Sequence, residues 1–332
     1  MDQPRTAPLT PKPIMDLATA FQRSRPLLTA FELGLFTTLN AEARTSEEIA
    51  DALGTHPRAT DRLMNALAAL GLLEKRDGRF SNTALTAQYL VKGRPEYMAG
   101  LGHTNHLWDT WSQLTEVVRT GEPAGAAEIN DRGDDWLRPF IAAMHFRAKQ
   151  NAAEVVGLLE LDGVSRLLDL GGGSGAYAMA FARTGRGIAA VVFDLPNVIP
   201  LTKLYIAQEG LAAEVTTATG DYLSASLGGG YDMVFMSAVI HSNSADDNRL
   251  LMRKAAEALN PGGQIVVQDF LVNEERDGPL LPALFALNML VGTPEGDTYT
   301  ESEVRAWMTE AGCRTILRKD TTFGTNLIIG RI

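Results

Sequence analysis

A strand, a cluster of glycines and a helix follow one another without spacer in RLLDLGGGSGAYAMAFA, which begins at Arg166. Leu167, Leu168 and Leu170 read as a short buried strand with Asp169 inside it. Gly171, Gly172, Gly173 and Gly175 then form a tight turn, and Ala176 to Ala182 reads as helix. This joint belongs to an open α/β sheet, and it makes a cradle of nucleotide type. The glycines admit a ligand to contact distance of the backbone, and the first free N–H groups of the helix point at it. A plain turn with no ligand could use the same residues, so the choice falls to what lies downstream.

Three further strands carry polar residues at their tips. AAVVFD places Asp194 at the end of a buried strand, 23 residues beyond Gly171. A carboxylate there can accept two hydrogen bonds from a ribose diol. After a third strand expected around Ala213 to Thr217, Gly220-Asp221-Tyr222 offers a second carboxylate and an aromatic ring suited to an adenine. YDMVFMSAVIH, from Tyr231 to His241, reads as a fourth strand running into a histidine. The carboxyl ends of parallel strands are where open α/β sheets bind ligands. Each acid alone would be a cap or turn residue; their common register points to one site.

Gly171, Gly173 and Ala176 also satisfy the relaxed dinucleotide fingerprint, so spacing alone leaves a nicotinamide enzyme open. The tail argues against it. AEALNPGGQIVVQDF gives a helix and a fifth strand, Gly263 to Phe270, and CRTILRKDTTFGTNLIIGRI reads as an antiparallel hairpin closing the sheet edge.

With DLGGGSG at Asp169–Gly175, FDLPNV at Phe193–Val198, GDYL at Gly220–Leu223, the SAVIH ending and LNPGGQIVVQD at Leu259–Asp269, the chain resembles the class I S-adenosylmethionine-dependent small-molecule O-methyltransferases. The similarity is to the caffeate and polyketide-tailoring type, which carries an N-terminal winged-helix dimerisation domain, and it covers about Ile14 to Ile332. It implies a Rossmann-like seven-stranded sheet and S-adenosyl-L-methionine as cofactor. Carried over by position, Gly171 would meet the methionine part, Asp194 the ribose, Asp221 and Tyr222 the adenine, and Ser237 the same pocket. His241 falls at the family's general base; Met144, Phe285 and Met289 would flank a flat acceptor.

The departures are specific. The family continues its histidine as H-D-W-x-D-E, whereas this chain has His241-Ser242-Asn243-Ser244-Ala245-Asp246. The tryptophan beside the adenine and the acid next to the base are both missing. The glutamate that orients the histidine in relatives matches Thr298, with Glu295, Asp297 and Glu301 close by, so the orienting acid is left open.

The implied chemistry asks for alignment and a base. Holding donor and acceptor in line can contribute about 7 to 11 kcal/mol. A phenol of pKa about 10 is mostly protonated at neutral pH, where an imidazole can accept its proton. General-base help of this kind is worth about 10² to 10⁴ in rate.

The rest of the chain frames this reading. A formal charge of -10 over 332 residues works against a nucleic-acid partner, and a lone cysteine, Cys313, forms no internal disulfide. The proline-rich start MDQPRTAPLTPKP has no apolar core, and GPLLPALFALNMLVG is broken by Pro282 and Asn288, so a cytoplasmic protein without membrane segments is expected.

Residues 1–13 read as a flexible arm and 14–100 as the winged-helix dimerisation domain. Residues 101–160 read as a helical roof over the substrate pocket, and 161–332 as the cofactor-binding catalytic domain. Helix, turn, helix and wing also describe DNA-binding regulators. Residues 1–97, however, hold 12 Lys plus Arg against 11 Asp plus Glu, a net of +1, too neutral for a firm phosphate grip. His103 and His106 lie close together, with His145 on a later segment, but no third ligand stands at metal spacing, and no metal is expected. The expectation is therefore a homodimeric O-methyltransferase acting on a small aromatic or polyketide-like hydroxyl. The alternative is a protein of the same fold that binds the cofactor but has lost or altered the transfer chemistry; oxygen, nitrogen or carbon as acceptor atom stays open.

Overall fold

The chain divides between Asn105 and His106 in the computed structural model, which describes residues 9–40, 42–124, 129 and 132–332. The arm expected over 1–13 lies outside the described residues as far as residue 8, and its end already enters a helix. The first unit holds α1 (Lys12–Ala18), α2 (Phe21–Glu32), α3 (Leu35–Leu39), α4 (Ser46–Leu53) and α5 (Pro57–Ala69). The hairpin β1 (Leu73–Arg76) and β2 (Arg79–Asn82) and the helix α6 (Ala84–Tyr89) complete it. Thr45 and Glu48 make a reciprocal capping box that starts α4, and Gly54 in the left-handed region ends it. Asp77 and Gly78, both at positive φ, form the turn of the wing. Leu35, Phe36, Leu39, Ile49, Met64, Leu67 and Phe80 form this unit's own core. Helix, helix and wing thus take the expected winged-helix form.

Between the wing and the large sheet come α7 (Leu101–Trp111), α8 (Leu114–Thr120) and α9 (Asp134–Gly157). The sheet is built from β3 (Arg166–Leu170), β4 (Ala189–Asp194), β5 (Val215–Thr219), β6 (Tyr231–Ser237) and β7 (Leu259–Asp269), with α10 (Ala176–Ala182), α11 (Ile199–Gln208) and α12 (Ala245–Ala258) among them. A short parallel pair, β8 (Leu271–Val272) and β9 (Tyr299–Thr300), brackets α13 (Leu280–Gly292). The helix α14 (Glu301–Glu310) and the hairpin β10 (Thr315–Asp320) and β11 (Asn326–Arg331) end the chain.

Strand order is β10-β11-β7-β6-β3-β4-β5, parallel except for β10 and β11. The inner strands are apolar on both faces because helices cover both. Leu168, Leu170, Val234, Met236, Ile265 and Val267 pack on one side, while Leu167, Met233, Phe235 and Val266 pack on the other. That alternation fixes which way each strand-end residue points.

Three expected boundaries move. The third strand is Val215–Thr219, two residues later than read. The fifth begins at Leu259, because Asn-Pro-Gly-Gly stays in the ladder through a register irregularity opposite Tyr231 and Met233. The fourth ends at Ser237, and His241 sits instead in a single 3₁₀ turn, Ile240–Ser242. Ala238, at φ +57°, breaks the strand there.

Candidate active site

Asp169 shows how the glycine turn is held. Its carboxylate, buried beneath α10, accepts the N–H of Ala178, one of the donors a helix start leaves unpaired. Burial, with Asp194 nearby, pushes this carboxyl up to about 7. A Cβ on Gly172 would lie 2.7 Å from the Asp169 carboxyl carbon and 2.9 Å from Val192, and one on Gly171 would lie 2.8 Å from Val239. Only glycine closes this turn so tightly. Across it lies α9, where His145 Nδ1 meets the Ser174 hydroxyl at 2.9 Å and stacks on Tyr205. Burial lowers the His145 imidazole to about 4, so it is neutral. Met144 is half-buried one residue away.

Asp194 ends β4 with both oxygens turned to backbone: Oδ2 accepts Gly173 N and Oδ1 accepts Leu195 N, each at 2.7 Å. Burial pushes its carboxyl up to about 6 against the opposing pull of those bonds. Asp221, just past β5, accepts Leu223 N at 2.9 Å and the Ser224 hydroxyl at 3.0 Å. The Tyr222 ring comes within 3.9 Å of the point a Gly171 Cβ would occupy, so these two expected residues border one space. Its hydroxyl donates to Asn243 Oδ1 at 2.9 Å. Ser237 donates to Gln268 Oε1 at 2.8 Å. Glycine turn, carboxylates and ring thus stand together along the carboxyl ends of β3, β4, β5 and β6, a cradle that fits a nucleoside with a diol.

His241 is buried, and its Nδ1 lies 2.8 and 3.0 Å from the two carboxylate oxygens of Asp269, the last residue of β7. Asp269 is itself buried and also accepts Phe270 N at 2.8 Å. A carboxylate only accepts, so Asp269 takes the hydrogen of Nδ1 and leaves Nε2 as the ring nitrogen not engaged by it. The Phe285 ring meets the imidazole edge-on, with centroids 4.8 Å apart and planes at 89°. Met289, one helical turn on along α13, is buried, and between them Asn288 accepts the Trp111 indole N–H at 2.9 Å.

Asp269 is the acid that the sequence left open, and none of Glu295, Asp297, Thr298 or Glu301 makes that bond. Asp297 instead gives its backbone N–H to the His241 carbonyl at 3.0 Å. A signal for Asp269 was present: it is a carboxylate at a strand tip, like Asp194. Among the described residues no group of three or more metal-ligating side chains gathers, and no helix is long and apolar enough to cross a membrane.

Residues 111–314 match the O-methyltransferase domain family, and residues 15–92 match the O-methyltransferase dimerisation domain. A 3-hydroxy-5-methyl-1-naphthoate 3-O-methyltransferase of Streptomyces sahachiroi is 35% identical over 91% of this chain and 89% of its own. A tetracenomycin polyketide synthesis 8-O-methyl transferase of Streptomyces glaucescens is 30% identical over 99% of this chain and 98% of its own. Human N-acetylserotonin methyltransferase, solved in complex with S-adenosylmethionine, superposes with a TM-score of 0.86 at 26% identity, covering 99% of each chain. The winged helix is therefore that of a dimerisation domain, and the nicotinamide reading falls away. The chain belongs to the S-adenosylmethionine-dependent O-methyltransferase family.

Proposed function

We propose that this enzyme transfers the methyl group of S-adenosyl-L-methionine to a hydroxyl of a small aromatic or polyketide-like acceptor, with His241 as general base. The observation that carries the reading is the buried His241–Asp269 pair beside the glycine cradle. Gly171 would receive the methionine part of the cofactor, Asp194 the ribose, Asp221 and Tyr222 the adenine, with Ser237 lining the pocket. When bound, the cofactor supplies an electrophilic methyl group.

The chain's own part is to hold and deprotonate the acceptor. Asp269 fixes the imidazole by Nδ1 and favours the cation that forms as Nε2 takes the hydroxyl proton. Phe285, at the edge of the imidazole, and Met289 and Met144 offer aromatic and thioether surface to a flat ring. The naphthoate and tetracenomycin relatives support an aromatic polyketide hydroxyl as acceptor, and the dimerisation domain supports a homodimer.

The test is transfer of labelled methyl from the cofactor to a panel of hydroxynaphthoates, hydroxyanthraquinones, simple phenols and aromatic amines. Label in a hydroxyl ether product supports the reading. Label confined to nitrogen or carbon, or none with cofactor bound, overturns it in favour of altered or lost chemistry.

A further inference from the structure

The position at which the resembling family carries tryptophan is occupied here by Asn243, which is only 6% exposed. A buried amide must find partners for its oxygen and its two hydrogens. Asn243 Oδ1 accepts the Tyr222 hydroxyl at 2.9 Å, and its Nδ2 donates to Asn248 Oδ1 at 3.2 Å. Asn248, fully buried, donates in turn to the carbonyl of Ile240 at 2.9 Å. The carbonyl of Asn243 itself accepts the Tyr299 hydroxyl at 2.5 Å. A continuous hydrogen-bonded chain therefore joins the ring of Tyr222 to the residue immediately before His241.

The backbone at Tyr222 is anchored independently. Lys254 Nζ donates to the carbonyls of Tyr222, Leu223 and Ala225 at 2.5, 2.8 and 2.7 Å, which uses all three of its hydrogens. With the loop fixed from that side and the ring packed against the core, the tip of Tyr222 is tied by its hydroxyl to Asn243. A packed tryptophan would place an aromatic by shape alone. An amide places it by a directional bond that continues to the histidine turn.

We infer that Asn243 is a positioning residue that couples the adenine pocket to the general base: a nucleoside against the Tyr222 ring tightens the Ile240–Ser242 turn through Asn243 and Asn248. This rests on the reading of Tyr222 as adenine-facing and of His241 as the base. In the dry interior each bond of such a chain polarises the next, so loosening one end loosens the other.

Hydrogen exchange of the full chain, with and without S-adenosylhomocysteine, reads the coupling directly. In the wild type the ligand protects the glycine turn, the 220–222 loop and the Val239–Asn243 segment. Tyr222→Phe keeps the ring and removes only the hydroxyl. At saturating ligand it retains protection of the glycine turn and loses the added protection at Val239–Asn243. Its kcat falls about three- to tenfold, the scale of one hydrogen bond, with the KM of the acceptor unchanged. Asn243→Ala reproduces this, and combining the two changes costs no more than Asn243→Ala alone.

Wild-type protection of Val239–Asn243 in Tyr222→Phe, or additive losses in the double variant, overturns the coupling. Absence of ligand protection at both the glycine turn and the 220–222 loop of the wild type overturns the cofactor placement, and the coupling falls with it.

Discussion

His241 and Asp269 lie 28 positions apart in sequence and meet only because β6 and β7 run parallel as neighbours. On the proposed general-base role, His241→Ala leaves the acceptor to shed its proton unaided, so kcat is expected to fall by about 10² to 10⁴ in steady-state assays. Asp269→Asn keeps the shape, but its amide can donate to Nδ1 and favour the wrong tautomer. Its kcat falls by less than that of His241→Ala, while calorimetry finds S-adenosylhomocysteine affinity unchanged.

Asp194 carries a pH signature. Its carboxyl sits at about 6 in the fold against an ordinary 3.8. The unfolded chain ionises first, so this group's contribution to stability is fully present below pH 3.8 and is lost as the pH rises through about 6. In the role proposed for Asp194, ligand binding runs the other way, because a ribose diol needs the ionised acceptor. Calorimetric affinity for S-adenosylhomocysteine should weaken as the pH drops through about 6, and Asp194→Asn should bind weakly with a flatter profile.

The strand-end positions of Asp194 and Asp221, and the place of His241 just beyond a strand, were legible because each follows a run of strand-forming residues. Asp269 also ends a strand, but its pairing with His241 depends on β6 and β7 lying side by side, which the sequence does not show. The partners of Asn243 could not be read at all, since they depend on how a 3₁₀ turn and two loops pack in space.

Among the elements, the β3–turn–α10 joint is tightly constrained, with no room for a side chain at Gly171 or Gly172. Gly172→Ala would drive a Cβ into the Asp169 carboxyl and Val192, both held by surrounding structure. A loss of about 1 to 3 kcal/mol is expected in thermal or urea unfolding, together with loss of cofactor binding. The joint was legible because its apolar run, glycines and alanine-rich helix all favour the same local structure. The end of β6 was less so: the run of small and apolar residues continues through Ala238, Val239 and Ile240, and the positive φ of Ala238 ends the strand. Likewise the loop-forming composition of Asn260–Gly263 hid its place in β7.

At the scale of the whole molecule, the number of strands followed from four strand patterns, a late fifth strand and a terminal hairpin, each visible in the residues. The order in which they lie side by side is set by the crossovers of the fold and was not legible in the sequence. The near-neutral winged helix, read as a dimerising module, leads to a further expectation. Light scattering during size exclusion should return twice the 35.9 kDa chain mass, independent of salt, and a mass equal to one chain would contradict the dimer.

In the proposed mechanism the pair formed by His241 and Asp269 removes the acceptor's proton. Single-turnover methyl transfer at neutral pH, comparing wild type with His241→Ala on the same hydroxylated acceptor, tests it most directly. The rate in the variant is expected to be lower by about 10² to 10⁴, recovering as the pH approaches the acceptor's own pKa of about 10. A variant that transfers methyl at the wild-type rate at neutral pH would contradict it.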